Sequence, residues 1–196
     1  MSAEVTSEKS QVRSAVAARR RGRSAVSRAA VAEAIALHAP SVAALVRARR
    51  VAAYLSLPSE PGTEPLLAWL TGLGIEVLVP RSRPDRSMEW VRYAPGEVVV
   101  GGLGVPEPTG PDLGPDALAS CDVAVVPALA VDHAGVRLGR GAGYYDRALE
   151  GFGGVVCALV HDDELLPSLP HEPHDRPVDL VLTPAGLFRP SRDRDL

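Results

Sequence analysis

The chain has 196 residues, 46% of them hydrophobic and 4% aromatic, with a formal net charge of −3 from 24 acidic and 21 basic side chains. That is enough apolar material for one domain over 1–196 with a sizeable core, and too much for a disordered chain. No run of about 18 apolar residues exists to span a membrane, the start "MSAEVTSEKSQVRSAVAARRRGRS" lacks the apolar segment of a secretory leader, and Cys121 and Cys157 stand alone in apolar runs; buried thiols in a reducing cytoplasm are expected.

Taken in chain order, Ser7–Ala39 reads as helix, broken near Gly22, with Val12, Val16, Val26, Ala30 and Ile35 recurring on one face. Residues 1–50 hold ten Lys/Arg against three Asp/Glu, while the rest hold eleven against twenty-one. A basic arm for nucleic acid would look like this; a solvated amphipathic helix accounts for it better, because alanine and valine interrupt the arginines at helical spacing. Pro40 turns the chain, and Ser41 is placed to cap a second helix through Arg49. "RVAAYLSL" (50–57) reads as a buried strand. "TEPLLAWLTGLG" (63–74) reads as a helix capped by Thr63 and stopped at Gly72 and Gly74. "IEVLVP" (75–80) and "MEWVRY" (88–93) are further strands, followed by an irregular Gly/Pro-rich stretch over 94–116. "CDVAVVP" (121–127), "GVVCALV" (154–160) and "VDLVLT" (178–183) complete the strands. The continuous apolar runs belong to strands buried on both faces, and helices intervene. The pattern predicts a three-layer α/β/α domain with a largely parallel central sheet. The tail over 189–196 is expected to be flexible. Four polar clusters follow strands, "LPSEPGT", "ALAVDHAGVRLGRGAGYYD", "HDDE" and "TPAG", and ligands of open α/β sheets bind beyond the carboxyl ends of strands.

The second cluster contains "VRLGRGAGYYDR" (136–147). Its G-x-G-x-G spacing matches neither the dinucleotide nor the P-loop template. A glycine run still turns several backbone N–H groups towards one point, making an anion nest, and a helix beginning near Gly143 would add its positive end. Arg137, Arg140 and Arg147 supply guanidinium charge for phosphate. Asp146 cannot stabilise phosphate itself; beside a triphosphate its task is to hold Mg²⁺. Tyr144 and Tyr145 offer flat faces for a ring. The competing local reading is a tight surface turn whose tyrosines pack inward, and the residues alone leave both open.

The stretch "VVPALAVDHAGVRLGRGAGYYDRAL" resembles the glycine–tyrosine motif of the 5-formyltetrahydrofolate cyclo-ligase (5,10-methenyltetrahydrofolate synthetase) family. "EKSQVRSAVAARR" resembles that family's opening helix, and "VAAYLSLPSEPGTEPLL" its first strand and acidic folate loop. "MEWVRY…GLGVPEP" and "LPHEPHDRPVDLVLT" resemble its middle and closing segments. The resemblance implies cyclisation of 5-formyltetrahydrofolate to 5,10-methenyltetrahydrofolate with ATP as co-substrate and Mg²⁺ as metal. It also implies two small-molecule partners, reduced folate and ATP, with no nucleic acid and no membrane, and a monomer. Lys9 is the only lysine beside twenty arginines and lies one helical turn from Arg13. In the family that pair contacts ATP, together here with Arg137, Leu138, Gly139, Arg140, Gly141, Ala142, Gly143, Tyr144 and Tyr145. Leu57 and Glu60 match substrate positions, joined by Arg140, Gly141, Ala142, Gly143 and Tyr144. Lys9, Arg140 and Tyr145 are implied to be catalytic, and Asp146 and Asp179 to hold Mg²⁺. The family pattern has a second acid two residues after Glu60, where this chain has Gly62.

His174 and Asp175 resemble a family motif of underived role. His133, His161 and His171 read as ordinary polar loop histidines, and Glu107 as a turn-fixing carboxylate, with a substrate role as its other reading. Two other classes stay in view: an α/β enzyme on another phosphorylated substrate, such as a sugar-phosphate isomerase or CoA-transferase relative, and the basic-arm nucleic-acid binder.

Overall fold

The computed structural model describes residues 3–83, 85, 87–101, 105–171 and 176–191, with only the backbone of 3 and 4. His174, Asp175 and the tail beyond 191 lie outside the described residues.

The N-terminal helical stretch is two helices, α1 (Ala3–Arg21) and α2 (Ala25–His38). They part where Gly22 and Arg23 donate to the carbonyls of Arg19 and Arg20, and Ser24 then caps α2 by accepting from Ser27 N at 3.1 Å. Ser41 is not a cap. It closes a 3-10 turn over Ala39–Ser41 by donating back to His38 O at 2.6 Å, and α3 (Ala43–Arg47) starts from Val42 with no side-chain cap.

The expected strand at 50–57 shortens to β1 (Arg50–Ala52). Beyond Ala53 the chain leaves the sheet because Thr63 draws it away: Thr63 Oγ1 donates to Tyr54 O at 2.7 Å and accepts from Ser56 N at 3.2 Å. Thr63 thus occupies the N-cap position of α4 (Glu64–Gly72) while its hydroxyl serves the preceding loop. There follow β2 (Glu76–Ser82), β3 (Met88–Arg92), β4 (Val98–Val100), β5 (Pro106–Pro108), β6 (Val123–Pro127), β7 (Ala130–Asp132), β8 (Arg137–Leu138), α5 (Tyr144–Ala148), β9 (Val155–Leu159), β10 (Leu165–Leu166), β11 (Leu180–Thr183) and β12 (Gly186–Phe188). Glu107 lies within β5, opposite Val99 of β4, and not in a turn.

The main sheet runs β12-β11-β9-β6-β1-β2-β3; its inner five strands are parallel and the two edges antiparallel. Alternate residues feed two cores. Val51, Val77, Val79, Val123, Val125, Cys157, Leu159 and Leu182 pack with Ile35, Leu45, Leu66, Leu67 and Leu70 of α2, α3 and α4. Ala52, Leu78, Ala124, Val126, Val156, Ala158 and Val181 pack with Leu118, Leu149 and Phe152 on the other face. Each leucine or isoleucine fully buried there stabilises the fold by about 1.5–3 kcal/mol. The cover is therefore uneven: full helices on one face, a short 3-10 turn and the five-residue α5 on the other.

A small sheet, β10-β7-β8, carries α1. Val12 packs against Ala130, Val136, Leu138 and Leu169. Beneath it the buried Asp132 accepts from the backbone N–H groups of Ala134, Val136 and Leu169 at 2.9–3.0 Å, which fixes the hairpin that leads into the glycine loop.

Candidate active site

Two of the four polar clusters converge. The segment after β1, the end of β2, the Pro127–Leu129 link and the loop from Gly139 to Asp146 line one cavity of about 290 Å³. Leu55, Leu57, Pro80, Met88 and the two tyrosines give it mostly apolar walls, with Glu60 and Arg137 among its charged ones. A second cavity of about 480 Å³ lies between α1, which supplies Arg13, Ser14, Arg20 and Arg21, and Ser59, Leu129 and Arg140. Leu129 and Arg140 belong to both, so the apolar compartment and the basic one share a wall.

The segment over 57–60 closes on itself. Glu60 Oε2 accepts from Leu57 N at 2.9 Å, and Glu60 N donates to Leu57 O at 2.9 Å. The other carboxylate oxygen faces Arg140 Nε at 3.3 Å, and Arg140 Nη2 donates to Ser59 Oγ at 3.3 Å. Both contacts are long, and half of the Arg140 side chain is in solvent. Gly62 is pressed against α2: a β-carbon there would sit 2.8 Å from Ala32 Cβ, so an acidic side chain has no room at this position.

In the glycine loop Gly141 and Gly143 take φ of +95° and +74°, values that strain any residue with a side chain. Gly139 and Gly143 leave space for a guanidinium, and Gly141 brings the backbone into ordinary contact range of another. A β-carbon would lie 3.1 Å from Arg137 Nη1 at Gly139, 3.5 Å from Arg13 Cζ at Gly141 and 3.0 Å from Arg147 Nη1 at Gly143. Arg13 Nε also donates to Gly139 O at 3.0 Å, which ties α1 to the loop. α5 is only five residues long, so fixed cations and turned N–H groups dominate here over the helix dipole. Leu138 is buried in the hairpin core, whereas Ala142 is exposed on the loop.

Both tyrosines pack inward against the second core while lining the cavity. Tyr144 Oη donates to Arg83 O at 3.1 Å. Arg137 lies 5.9 Å from the Tyr145 ring centroid, and burial, with Glu60 adding to it, raises the Tyr145 phenol far above its usual range. Tyr145 is thus neutral at working pH.

Asp146 lines the cavity with two thirds of its side chain exposed, and its carboxylate is paired with the buried guanidinium of Arg137. Asp179 does not join it. It stands just before β11, at the opposite end of the parallel strands, where its carboxylate accepts from Val156 N at 2.8 Å. Among the described residues no three His, Cys, Asp or Glu side chains cluster as a metal site. Lys9 is buried on α1, one turn before Arg13.

The remaining two clusters do not enter the cavities. "TPAG" turns the β11–β12 hairpin. "HDDE" clamps α1. Arg20, 2% exposed, makes a two-point ion pair with the fully buried Glu164, Nε to Oε1 at 2.8 Å and Nη2 to Oε2 at 2.7 Å, and Nη2 also donates to Ala128 O at 2.7 Å. Arg19 and Arg23 reach Asp163. His161 is buried as well, contrary to the polar loop histidine expected from sequence, and burial lowers its imidazole below the ordinary value. The basic helix is therefore amphipathic and not a detached arm: Arg20 is buried and Arg13 half-buried against the fold, while Arg19 and Arg21 stay on its exposed face. A signal for Arg20 exists in the sequence, because Val12, Val16 and Arg20 are spaced by four and share one face.

The sequence model of the 5-formyltetrahydrofolate cyclo-ligase family matches residues 5–184. The 5-formyltetrahydrofolate cyclo-ligase of Mycolicibacterium smegmatis is 45% identical over 146 residues, 71% of this chain and 75% of its own length. That of Escherichia coli (strain K12) is 33% identical over 150 residues, 74% of this chain and 82% of its own. The NMR structure of Aquifex aeolicus 5,10-methenyltetrahydrofolate synthetase is similar with a TM-score of 0.79 at 28% identity, covering 96% of this chain and 95% of that one. The Mycoplasma pneumoniae 5,10-methenyltetrahydrofolate synthetase shares the fold, with a TM-score of 0.72 at 16% identity over 90% of this chain and 99% of its own.

Proposed function

The chain belongs to the 5-formyltetrahydrofolate cyclo-ligase family, and from that premise we propose that it converts 5-formyltetrahydrofolate and ATP to 5,10-methenyltetrahydrofolate, ADP and phosphate. The observation that carries the reading is the shared wall. An apolar, tyrosine-lined compartment suited to a pterin adjoins a basic one suited to a triphosphate, and Arg140 borders both.

The chemistry needs that adjacency. A formamide oxygen is a poor leaving group; once it takes the γ-phosphoryl group of ATP, it leaves as phosphate when N10 attacks the formyl carbon and N10 gives up its proton. Positioning and charge neutralisation then supply most of the rate. In this reading Glu60, Leu57 and Tyr144 hold the folate. Arg13, Arg137 and the N–H groups of Gly141 and Gly143 bind the phosphates, with Lys9 completing the cationic face of α1. Arg140 acts on the transferring group, and Tyr145 stays a neutral donor.

Asp146 suits Mg²⁺, which is commonly held by one or two carboxylates together with substrate phosphates and water. It would hold the ion beside the nest, sharing its charge with Arg137. The ion would supply neutralisation of phosphate charge. Asp179, at the far end of the strands, has no part in this arrangement. The partners are the two small molecules, met by a monomer in the cytoplasm.

Purified protein mixed with MgATP and 5-formyltetrahydrofolate should develop the near-ultraviolet absorbance of the methenyl product, with one ADP released per turnover. ADP release that does not depend on the folate would overturn the assignment.

A further inference from the structure

Tyr54 follows β1 at its carboxyl end, with 3% of its surface exposed, and it belongs to both the first core and the wall of the apolar cavity. Its backbone is fixed by the Thr63 hydroxyl on its carbonyl at 2.7 Å. Its own hydroxyl is buried and has no hydrogen-bond partner among the described residues. Glu60, the residue whose charge acts on it most, does not accept from it; its two oxygens face Leu57 N and Arg140.

A buried hydroxyl without a partner costs about 1–3 kcal/mol. Phenylalanine would fill the same space in the core without that cost, so the fold alone gives no reason for the oxygen. The cavity does, because a ligand placed there brings acceptors. We propose that Tyr54 Oη is a binding residue of the apolar compartment, donating a hydrogen bond to an oxygen or ring nitrogen of the bound reduced folate. The assignment rests on the functional reading above, which puts the folate in this compartment. Tyr54 lines the apolar cavity and not the basic one, so the bond belongs to the folate and not to ATP. Burial, reinforced by Glu60 and Tyr145, raises the phenol well above its usual value, so it donates at any working pH.

Tyr54→Phe in the whole chain tests this. Affinities for 5-formyltetrahydrofolate and for MgATP are measured separately by calorimetry, and thermal stability is measured without ligands. The expected result is folate affinity weakened about tenfold, about 1.4 kcal/mol, with ATP affinity unchanged and ligand-free Tm equal to or above wild type. Unchanged folate affinity would overturn the proposal. A lowered ligand-free Tm would do so too, since the hydroxyl would then have a partner inside the fold. Wild-type protein that neither binds the folate nor forms the methenyl product would instead bring down the functional reading, and this assignment with it.

Discussion

Replacing Glu164 by glutamine strikes the point where α1 is fastened to the rest of the molecule. The carboxylate receives two bonds from Arg20 and one from His161 N at 3.0 Å, and neither ion-pair partner is more than 2% exposed. Glutamine keeps the volume and one acceptor but leaves the Arg20 guanidinium buried without a counter-charge. Breaking such a pair by removing one member costs about 3–5 kcal/mol, a large share of a total stability of about 5–15 kcal/mol. The loss should reach function as well, because Arg13 lies seven residues before Arg20 on the same helix and ties it to the glycine loop. ATP affinity should therefore weaken more than folate affinity. Urea unfolding of Glu164→Gln, Arg20→Met and the double variant Arg20→Met/Glu164→Leu would measure the coupling. The double variant should recover much of the single-site loss, since apolar replacement of a whole buried pair is often neutral. A Glu164→Gln protein within about 1 kcal/mol of wild type, or strictly additive single variants, would refute the anchor.

Gly143→Val should weaken ATP binding more than folate binding, because φ of +74° and a β-carbon 3.0 Å from Arg147 both oppose the side chain; equal losses for both ligands, measured by calorimetry, would mean the loop had simply unfolded. Asp146→Asn should raise the Mg²⁺ concentration needed for half-maximal rate while costing about 1 kcal/mol or less of stability, given its exposed partner side; an unchanged rate at limiting Mg²⁺ would remove the metal role. His161 is held below the ordinary imidazole value first by burial, with Arg23 and Arg20 adding to the effect and Glu164 and Asp163 opposing it. The unfolded chain then binds the extra proton below about pH 6.5, so stability should fall as pH drops from there and be flat above it. His161→Gln should flatten that part of a Tm-against-pH curve, and identical curves would show an imidazole that titrates normally.

The sheet was legible because strands buried on both faces must be apolar throughout, and the glycine loop because only glycine accepts the φ found at 141 and 143. The length of β1 was not. "AYLSL" looks like its continuation, yet a hydroxyl nine residues beyond Tyr54 pulls it out of the ladder. Ser41 satisfied the local rule for a cap, but Pro40 had already made a 3-10 turn that used its hydroxyl. Arg20 hid among three consecutive arginines, and its partner is 144 residues away among three acids, so no local pattern could pair them. The same distance concealed His161. Asp179 was placed with Asp146 by resemblance, and the parallel order of the strands sets it at the wrong end.

Among the described residues Arg140 is held by just two contacts of 3.3 Å, and it stands between two compartments. If the folate and MgATP occupy those compartments as proposed, a side chain so placed would make the two ligands thermodynamic effectors of each other. Whatever factor MgATP gains for the folate by drawing that guanidinium into position, the folate must return to MgATP, since the free energy of the doubly occupied state is independent of the route taken to it. The order of addition then decides how fast the ternary complex assembles, and has no bearing on how much of it there is.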